Sequence, residues 1–170
     1  MNCLNIFRPN EILHSVYQID LQALWNQGYK SILFDLDNTL LPWNDEKVTQ
    51  ELEHWFVHLK EIGFSAALIS NNHAPRILPV AEKLEVVFLP DAHKPASGAA
   101  QLCMAMIDAR KEACVMVGDQ IITDIWMGNK AGLYTILVSP ISSVEYGGTR
   151  INRVLERILM RVMGLKRPEG

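Results

Sequence analysis

Five short apolar runs, separated by stretches with helical periodicity, constrain the fold of this 170-residue chain more than any other feature. Each run is continuously apolar, and several are rich in β-branched residues. Continuous apolarity is typical of strands buried on both faces of a parallel sheet. The sequence therefore predicts a mainly parallel sheet of about five strands, at Ser31–Phe34, Ser65–Ile69, Val86–Leu89, Ala113–Val117 and Tyr134–Val138.

Helical patterns fill the intervals between the runs. Apolar residues recur at helical spacing in 46–62, where Gly63 ends the pattern, and prolines open two further helices. Alternating strands and helices predict a three-layer α/β fold in one domain, residues 1–170. We expect a helical extension at 1–30 and a basic amphipathic helix at 149–165. The other predicted helices are Ala74–Leu84, Pro95–Arg110 and Thr123–Lys130.

Composition narrows the class of protein. Hydrophobic residues make up 49% of the chain and charged residues 21%, as in a globular protein with a core. A net charge of −3 gives no bulk attraction to nucleic acid. Cys3, Cys103 and Cys114 are odd in number and match no zinc motif, which favours reduced thiols in a cytoplasmic protein. We expect no signal peptide and no membrane-spanning helix.

Polar side chains follow four of the predicted strands. In open α/β sheets, ligands bind beyond the carboxyl ends of the strands, so these side chains should meet at one edge. Clustered carboxylates repel each other and lose hydration, and a bound Mg²⁺ would offset both costs and attract a phosphate dianion. The residues are Asp35 and Asp37, Ser70 and Asn71, Lys94, and Asp119 and Asp124.

These residue types suit phosphoryl transfer. The Ser70 hydroxyl and the amide that follows it can donate hydrogen bonds to phosphate oxygens, and Lys94 adds a positive charge. A carboxylate is a nucleophile at phosphorus. If the chain turns after Asp35, both acids of "FDLDNTL" could meet one phosphate: one would attack and hold metal while the other moves a proton.

The motifs "DLDNTL", "SNN", "KP" and "GDQIITD" resemble, in order, the four motifs of the haloacid dehalogenase (HAD) superfamily. The stretches "GYKSILFDLDNTLLPW", "LISNN" with Arg76 just after it, and "GDQIITDIWMGNKAGLYTILVSP" resemble the YqeG-type branch of subclass IIIA. That branch includes phosphatidylglycerophosphate phosphatases, and the similarity covers roughly residues 9–160. The resemblance implies a three-layer, Rossmann-like α/β/α HAD fold.

The resemblance also implies a role for each site residue. Asp35 is the nucleophile and a Mg²⁺ ligand, and Asp37 is the general acid and base whose backbone carbonyl also binds the metal. Ser70 and Asn71 bind the phosphoryl group. The remaining roles are charge stabilisation by Lys94, metal binding by Asp119, and support of the metal or of Lys94 by Asp124.

HAD enzymes usually insert cap domains between the first three motifs. Here 33 positions separate Asp37 from Ser70 and 24 separate Ser70 from Lys94, which one helix and one strand fill in each case. The spacing therefore predicts a site without a cap domain, open to a large substrate or to a phosphate on a surface.

Simpler interpretations of the same residues remain open. Asp35 and Asp37 could form a polar turn, Lys94 could be solvated, and Asp124 could cap the following helix. The i,i+4 pair His54 and His58 most simply belongs to a solvated helix face. His73, His93 and Trp43 could line the rim of the site or only pack beside it, and the role of Arg76 is open.

The C-terminal helix carries a second signal. An apolar stripe runs from Ile151 to Met163, and six basic residues accompany it: Arg150, Arg153, Arg157, Arg161, Lys166 and Arg167. Such a helix can lie on an anionic membrane. We favour packing of the stripe on the sheet or on Ile12–Leu24, with the arginines still able to face lipid.

Three functions are compatible with these patterns. The first is a Mg²⁺-dependent capless phosphatase, acting on phosphatidylglycerophosphate as the resemblance implies and contacting the inner face of the membrane peripherally. The second is the same chemistry on a soluble sugar phosphate, a nucleotide or a phosphoprotein. The third is a binding module that accepts a phosphoryl group on Asp35 with little turnover. The presence of Asp37, which could activate water for hydrolysis, argues against this third function.

Overall fold

The computed structural model of the protein describes residues 3–43, 45–142 and 149–168. Six parallel strands form one sheet in the order β1-β6-β5-β2-β3-β4. The strands are β1 (Glu11–Leu13), β2 (Ser31–Phe34), β3 (Ser65–Ile69), β4 (Val87–Leu89), β5 (Cys114–Gly118) and β6 (Tyr134–Val138).

The predicted parallel sheet is confirmed, with one strand more than expected. Strands β2, β3 and β6 have the predicted bounds, and β4 and β5 differ by one residue at their ends. The additional strand β1 lies in the N-terminal segment, where only helices were predicted, and pairs with β6 at the edge of the sheet. Its three residues are too few to show a pattern of burial in the sequence.

Within the described part of the chain, six α-helices connect or flank the strands. Helix α2 begins after Thr49, whose hydroxyl accepts the Leu52 N–H at 3.2 Å, and ends at Gly63 with φ 114°. Residues 46–49 therefore lie outside the helix predicted for 46–62. The helices are α1 (Leu21–Asn26), α2 (Gln50–Ile62), α3 (Ala74–Leu84), α4 (Ser97–Met106), α5 (Trp126–Ala131) and α6 (Thr149–Met163).

The helices cover both faces of the sheet, as a three-layer fold requires. Alternate residues of β2 show this directly: Ile32 and Phe34 pack with α1, α2 and α3, whereas Leu33 packs with α4 and α5. Cys103 and Cys114 are fully buried in the second of these cores, as predicted. No additional domain interrupts the described residues between β2 and β4, which agrees with the predicted absence of a cap.

Helix α6 packs beside the end of β5. Its residues Leu159, Met160 and Met163 contact a small core that contains Ile121 and Ile125. Among the residues that the structure describes, no helix is both long and apolar enough to cross a membrane.

Candidate active site

The candidate site lies where the connections of the sheet diverge. The chain leaves β2 toward β3 and β4 on one side, then crosses to β5 and β6 on the other, which opens a crevice beyond the carboxyl ends of β2 and β5. Phe34 pairs with Val117, and the Asp35 N–H donates to the Val117 carbonyl at 2.9 Å. Asp35 and Asp119 therefore enter the crevice from adjacent strands.

Lys94 joins two buried carboxylates in this crevice. Its Nζ lies 2.5 Å from Asp35 Oδ1 and 2.8 Å from Asp124 Oδ1, and each of the three side chains is less than a tenth exposed. The interpretation of Lys94 as a solvated side chain is therefore wrong. Asp124 Oδ2 accepts the N–H of Gln120, so Asp124 does not cap α5 either.

The charges of this cluster are strongly perturbed. Burial raises the pKa of Asp35 well above its usual range; Lys94 opposes the rise, and Asp124 and Asp119 add to it. Burial by itself would lower the pKa of Lys94, but the carboxylates of Asp124 and Asp35 outweigh it and raise that pKa. Lys94 is therefore a cation at neutral pH, and one cation faces three buried carboxyl groups.

A short π-helical turn, Ile121–Ile125, holds Asp124 against β5. The close approach requires glycine at position 118, because a Cβ there would lie 2.4 Å from both Cβ and Cγ of Asp124. Asp119, which lies between β5 and this turn, is fully buried and accepts a hydrogen bond from Thr39 Oγ1 at 3.3 Å. The helix predicted from Thr123 therefore begins only at Trp126, because residues 121–125 form a π-turn, as is frequent at functional sites.

The chain turns after β2, as the sequence predicted. The Leu36 carbonyl accepts the N–H groups of Thr39, Leu40 and Leu41, and Asn38 adopts a left-handed conformation with φ 62°. This turn directs Asp37 back toward the loop after β3.

Three side chains from that loop and from α3 hold the Asp37 carboxylate. Asn72 Nδ2 donates to Oδ2 at 2.8 Å, and Ser70 Oγ lies 3.5 Å from the same oxygen. Arg76 Nη2 donates to Oδ1 at 2.9 Å. The Asp37 side chain is 14% exposed, so it lies slightly nearer to solvent than the 9% exposed side chain of Asp35.

Arg76 also fixes the loop that follows the turn. The same Nη2 lies within hydrogen-bonding distance of the backbone carbonyls of Pro42, Trp43 and Asp45, at 3.3, 3.4 and 2.7 Å. Arg76 thus connects α3 and Asp37 with the backbone of Pro42, Trp43 and Asp45. The backbone carbonyl of Trp43 takes part in this contact, and a role of its side chain in the wall of the site stays a prediction.

Asn71 has a different set of contacts from the one expected. Its Oδ1 accepts the Lys94 N–H at 2.7 Å, and its Nδ2 donates to the Lys94 carbonyl at 3.3 Å. The side chain therefore positions the backbone of Lys94. A phosphate contact of Asn71 remains a prediction for its backbone N–H.

The rim of the site contains exposed groups. His73 Nδ1 lies 2.6 Å from Asp91 Oδ1 in a pair with an 84% exposed imidazole, and His93 is also exposed. His54 and His58 lie on a solvent-facing side of α2, as the simpler interpretation predicted. Among the described residues, neither His73 and His93 nor His54 and His58 belong to a cluster of side chains that could bind a metal ion.

The buried acids fit a divalent cation. Asp35, Asp119 and Asp124 each offer an oxygen within 4.8 Å of the others. Asp35 Oδ2 is buried, and no described residue donates a hydrogen bond to it. An orphaned carboxylate oxygen in an acidic cluster is costly without a cation, and oxygen-only donors suit Mg²⁺.

Sequence reasoning missed several residues of the site. Thr39 and Asn72 lie inside the quoted motifs, so their position was a usable signal. No motif in the sequence pointed to Arg167. Its guanidinium donates to the Asp119 carbonyl at 2.7 Å and also contacts the Val138 carbonyl and Glu156. The prediction that Arg167 is a surface charge is therefore wrong.

Comparisons with known proteins identify relatives of this chain. Residues 92–140 match the family model described as HAD-hydrolase-like. The chain is 36% identical to "Probable phosphatase YqeG" of Bacillus subtilis over 94% of its own length and 93% of that protein. It is 30% identical to the chloroplastic phosphatidylglycerophosphate phosphatase 1 of Chlamydomonas reinhardtii, over 87% of this chain and 59% of that longer protein.

Solved structures share the fold at low sequence identity. An uncharacterised protein of Corynebacterium glutamicum aligns over 84% of this chain and 100% of its own, with a TM-score of 0.52 and 21% identity. The cobalt-bound deoxy-D-mannose-octulosonate 8-phosphate phosphatase of Haemophilus influenzae aligns over 81% and 91%, with a TM-score of 0.50 and 15% identity. These similarities concern the fold alone.

Proposed function

The chain belongs to the YqeG-type phosphatases of the HAD-like hydrolases, and on that premise we propose that it is a Mg²⁺-dependent phosphomonoester hydrolase that works through an aspartyl-phosphate on Asp35. The observation that supports the proposal is that the two oxygens of the Asp35 carboxylate have different environments. Lys94 holds Oδ1 at 2.5 Å, whereas the buried Oδ2 has no donor among the described residues and remains available to a ligand.

In the first step, Asp35 forms a bond to phosphorus while the bond from phosphorus to the alkoxide leaving group breaks. Asp37 donates a proton to that alkoxide. In the second step, Asp37 takes a proton from water as the water oxygen attacks the phosphorus of the aspartyl-phosphate. Asp35 leaves as a carboxylate, so the net reaction consumes one water and yields an alcohol and inorganic phosphate.

The surrounding residues support the charge of the phosphoryl group. Lys94, kept cationic by two carboxylates, would stabilise negative charge on the phosphoryl oxygens, and the Ser70 hydroxyl would donate a hydrogen bond. Asp35, Asp119 and the Asp37 carbonyl are the groups that would hold Mg²⁺. Bound there, the cation would offset the buried negative charge and polarise the phosphoryl group.

The preferred substrate is phosphatidylglycerophosphate. Two plant-type relatives carry that activity in their names, the second from Arabidopsis thaliana at 25% identity, although this chain spans only 59% and 42% of their lengths. An uncapped site also suits a phosphate presented at a membrane, because no domain encloses the substrate in the part of the chain that is described.

The test is a phosphatase screen with and without Mg²⁺. It compares phosphatidylglycerophosphate in vesicles with a panel of sugar phosphates, nucleotides and phosphopeptides, and uses Asp35→Asn as the inactive control. We expect the lipid to be hydrolysed fastest and Asp35→Asn to be inactive on every substrate. Faster hydrolysis of a soluble compound would overturn the lipid assignment, and an active Asp35→Asn would overturn the chemistry.

The metal can be tested without turnover. Mg²⁺ at ten times its Kd should stabilise the protein by about 1.4 kcal/mol, or a rise in Tm of roughly 3–6 °C for a chain of this size. Asp119→Asn should reduce that rise, because it removes one carboxylate ligand. An equal rise in both proteins would exclude Asp119 as a ligand.

A further inference from the structure

Helix α6 packs one apolar side against the protein and exposes another. Leu159, Met160 and Met163 contact the core beside the π-helical turn. Four large apolar residues face away from that core and are about half exposed or more: Val154 (49%), Leu155 (47%), Ile158 (55%) and Val162 (63%). The sequence predicted that the stripe would pack; the structure divides it into a packed side and an exposed side.

The exposed residues form one continuous surface. Val154, Ile158 and Val162 are spaced by four and so lie on the same side of the helix. Single exposed apolar residues are normal on a protein, but a row of them along one helix indicates an interaction surface. We call this row, together with Leu155, the α6 apolar face.

Positive charge borders the α6 apolar face. Arg157 and Arg161 are exposed and line a surface groove together with Val154, Ile158 and Val162. Within residues 149–168 the sequence has a single acid, Glu156, which is 3% exposed and contacts Arg167. The exposed side of the helix therefore offers apolar groups and cations, with its acid turned inward.

The charges beside the α6 apolar face distinguish between two possible partners, a second copy of the chain and a lipid bilayer. A second copy packed through the same face would bring the arginines of both copies together, because an isologous interface places each patch against itself. An anionic bilayer instead provides negative headgroups for the arginines and acyl chains for the apolar residues. Charge complementarity thus favours a membrane surface.

The helix that carries this face lies beside the candidate site. The packed side of α6 rests on Ile121 and Ile125 of the turn that contains Asp124, and Arg167 after the helix donates to the Asp119 carbonyl at 2.7 Å. A surface bound to α6 would therefore lie beside the crevice and not at the far end of the sheet.

We infer that the α6 apolar face, with Arg157 and Arg161, docks the protein on a bilayer of anionic phospholipid and brings the site to the phosphate of a lipid headgroup. The inference rests on the proposed function for the identity of its substrate. Arg167 is excluded from the docking residues because it binds inside the protein.

The test compares binding to sedimented vesicles of phosphatidylglycerol and phosphatidylcholine with binding to vesicles of phosphatidylcholine alone. Ile158→Gln with Val162→Gln removes the apolar contact, and Arg157→Gln with Arg161→Gln removes the charge. The matched control is Leu102→Gln with Met106→Gln, an exposed i,i+4 apolar pair on α4 (55% and 42% exposed). Thermal unfolding of each variant verifies that it is folded.

The parent should bind the anionic vesicles and bind phosphatidylcholine weakly. The apolar double variant should lose at least tenfold in vesicle affinity, and the arginine variant roughly fivefold for each arginine removed, with less dependence on salt. The control should bind like the parent. All variants should hydrolyse a soluble aryl phosphate at the rate of the parent, because none of these residues lies in the site.

Equal binding by the parent and the apolar variant, or no binding by the parent, would overturn the inference. A parent that is dimeric in solution, does not bind vesicles and becomes monomeric on Ile158→Gln with Val162→Gln would assign the face to a second copy instead. Aryl phosphatase activity without vesicle binding would overturn only the docking surface. Vesicle binding without phosphatase activity would overturn only the proposed function.

Discussion

Arg76 shows how one side chain connects the chemistry of the site to its geometry. It is 15% exposed and directs Nη2 at Asp37 Oδ1 and at three backbone carbonyls. Its Nη1 is buried without a hydrogen-bond acceptor in the described residues and lies 3.9 Å from Glu46 Oε1. The guanidinium therefore holds the proposed proton donor and the adjacent loop in one arrangement.

Arg76→Ala should reduce kcat by roughly 10- to 100-fold, because a small displacement of a catalytic group has an effect of that size. The loss should be larger for alkyl than for aryl phosphates, since good leaving groups need no proton, and Asp37→Asn should show the same bias. The measurement is single-turnover phosphorylation with both substrate types.

Lys83→Ala, on the exposed end of the same helix, is the matched control and should retain the rates of the parent. Arg76→Lys should not rescue the rate, because one ammonium cannot reproduce the planar guanidinium. If the loss is equal for both leaving groups, Arg76 acts on substrate binding or folding and not through Asp37.

The sequence predicted which side chains would come together but not the contacts that each would make. Asp35, Lys94 and Asp124 meet as expected because they follow strands whose ends must share one edge of the sheet. Asn71 and Arg76 could not be assigned in this way. The contacts of these two residues depend on the directions of side chains in the loop after β3 and in α3. The spacing of residues in the sequence does not specify those directions.

The π-helical turn Ile121–Ile125 is the element that most directly shapes the site. Only Asp119 and Gln120 separate it from β5, so Asp124 packs against the backbone of Gly118 while Lys94 donates to the Asp124 carboxylate. The geometry depends on the missing side chain at Gly118, where no clearance for a Cβ exists.

Gly118→Ala should displace the turn, destabilise the protein by about 1–3 kcal/mol, and abolish most of the phosphatase activity. Gly98→Ala in α4 is the control, since a Cβ there has no neighbour within 4 Å. That change should leave activity intact and stabilise the protein by up to about 1 kcal/mol. Urea unfolding and aryl phosphate turnover measure the two effects, and an active, stable Gly118→Ala would exclude the steric explanation.

Elements with strong local signals were predicted well, and those formed by tertiary contacts were not. Strand β2 and helix α3 have their predicted bounds because apolar runs and a proline near the helix start specify them. Strand β1 has no strand pattern in its own sequence and is formed by pairing with the edge of β6. The sequence of the π-turn does not differ from that of an ordinary α-helix. Its wider winding occurs together with the close contact between Asp124 and Gly118, which is a tertiary contact.

The two thiols of the core link the stability of the whole molecule to pH. Burial raises the pKa of Cys103 and of Cys114 to about 12 each. In the unfolded chain a thiol ionises near pH 8.5, so the unfolded state loses protons first as pH rises. The stability that neutral thiols provide is therefore complete below about pH 8.5 and is lost between that pH and about 12.

The free energy of unfolding should fall by about 1.4 kcal/mol per pH unit for each thiol above pH 9. Cys103→Ala with Cys114→Ala should be less stable at pH 7 because of the cavities, yet should lose stability less steeply at alkaline pH. Urea unfolding from pH 7 to 10 provides the comparison. Parallel curves for the two proteins would show that the thiols ionise freely in the folded state.

The most direct test of the proposed chemistry is to trap the phosphoenzyme. The protein is mixed with excess aryl phosphate and Mg²⁺, quenched in acid within milliseconds, digested and analysed by mass spectrometry. We predict one phosphoryl group on the peptide that contains Asp35, absent without Mg²⁺ and in Asp35→Asn, and accumulating in Asp37→Asn because hydrolysis is slowed. Full turnover by the parent with no phosphoryl group on that peptide, in the parent and in Asp37→Asn alike, would contradict the assignment of Asp35 as nucleophile.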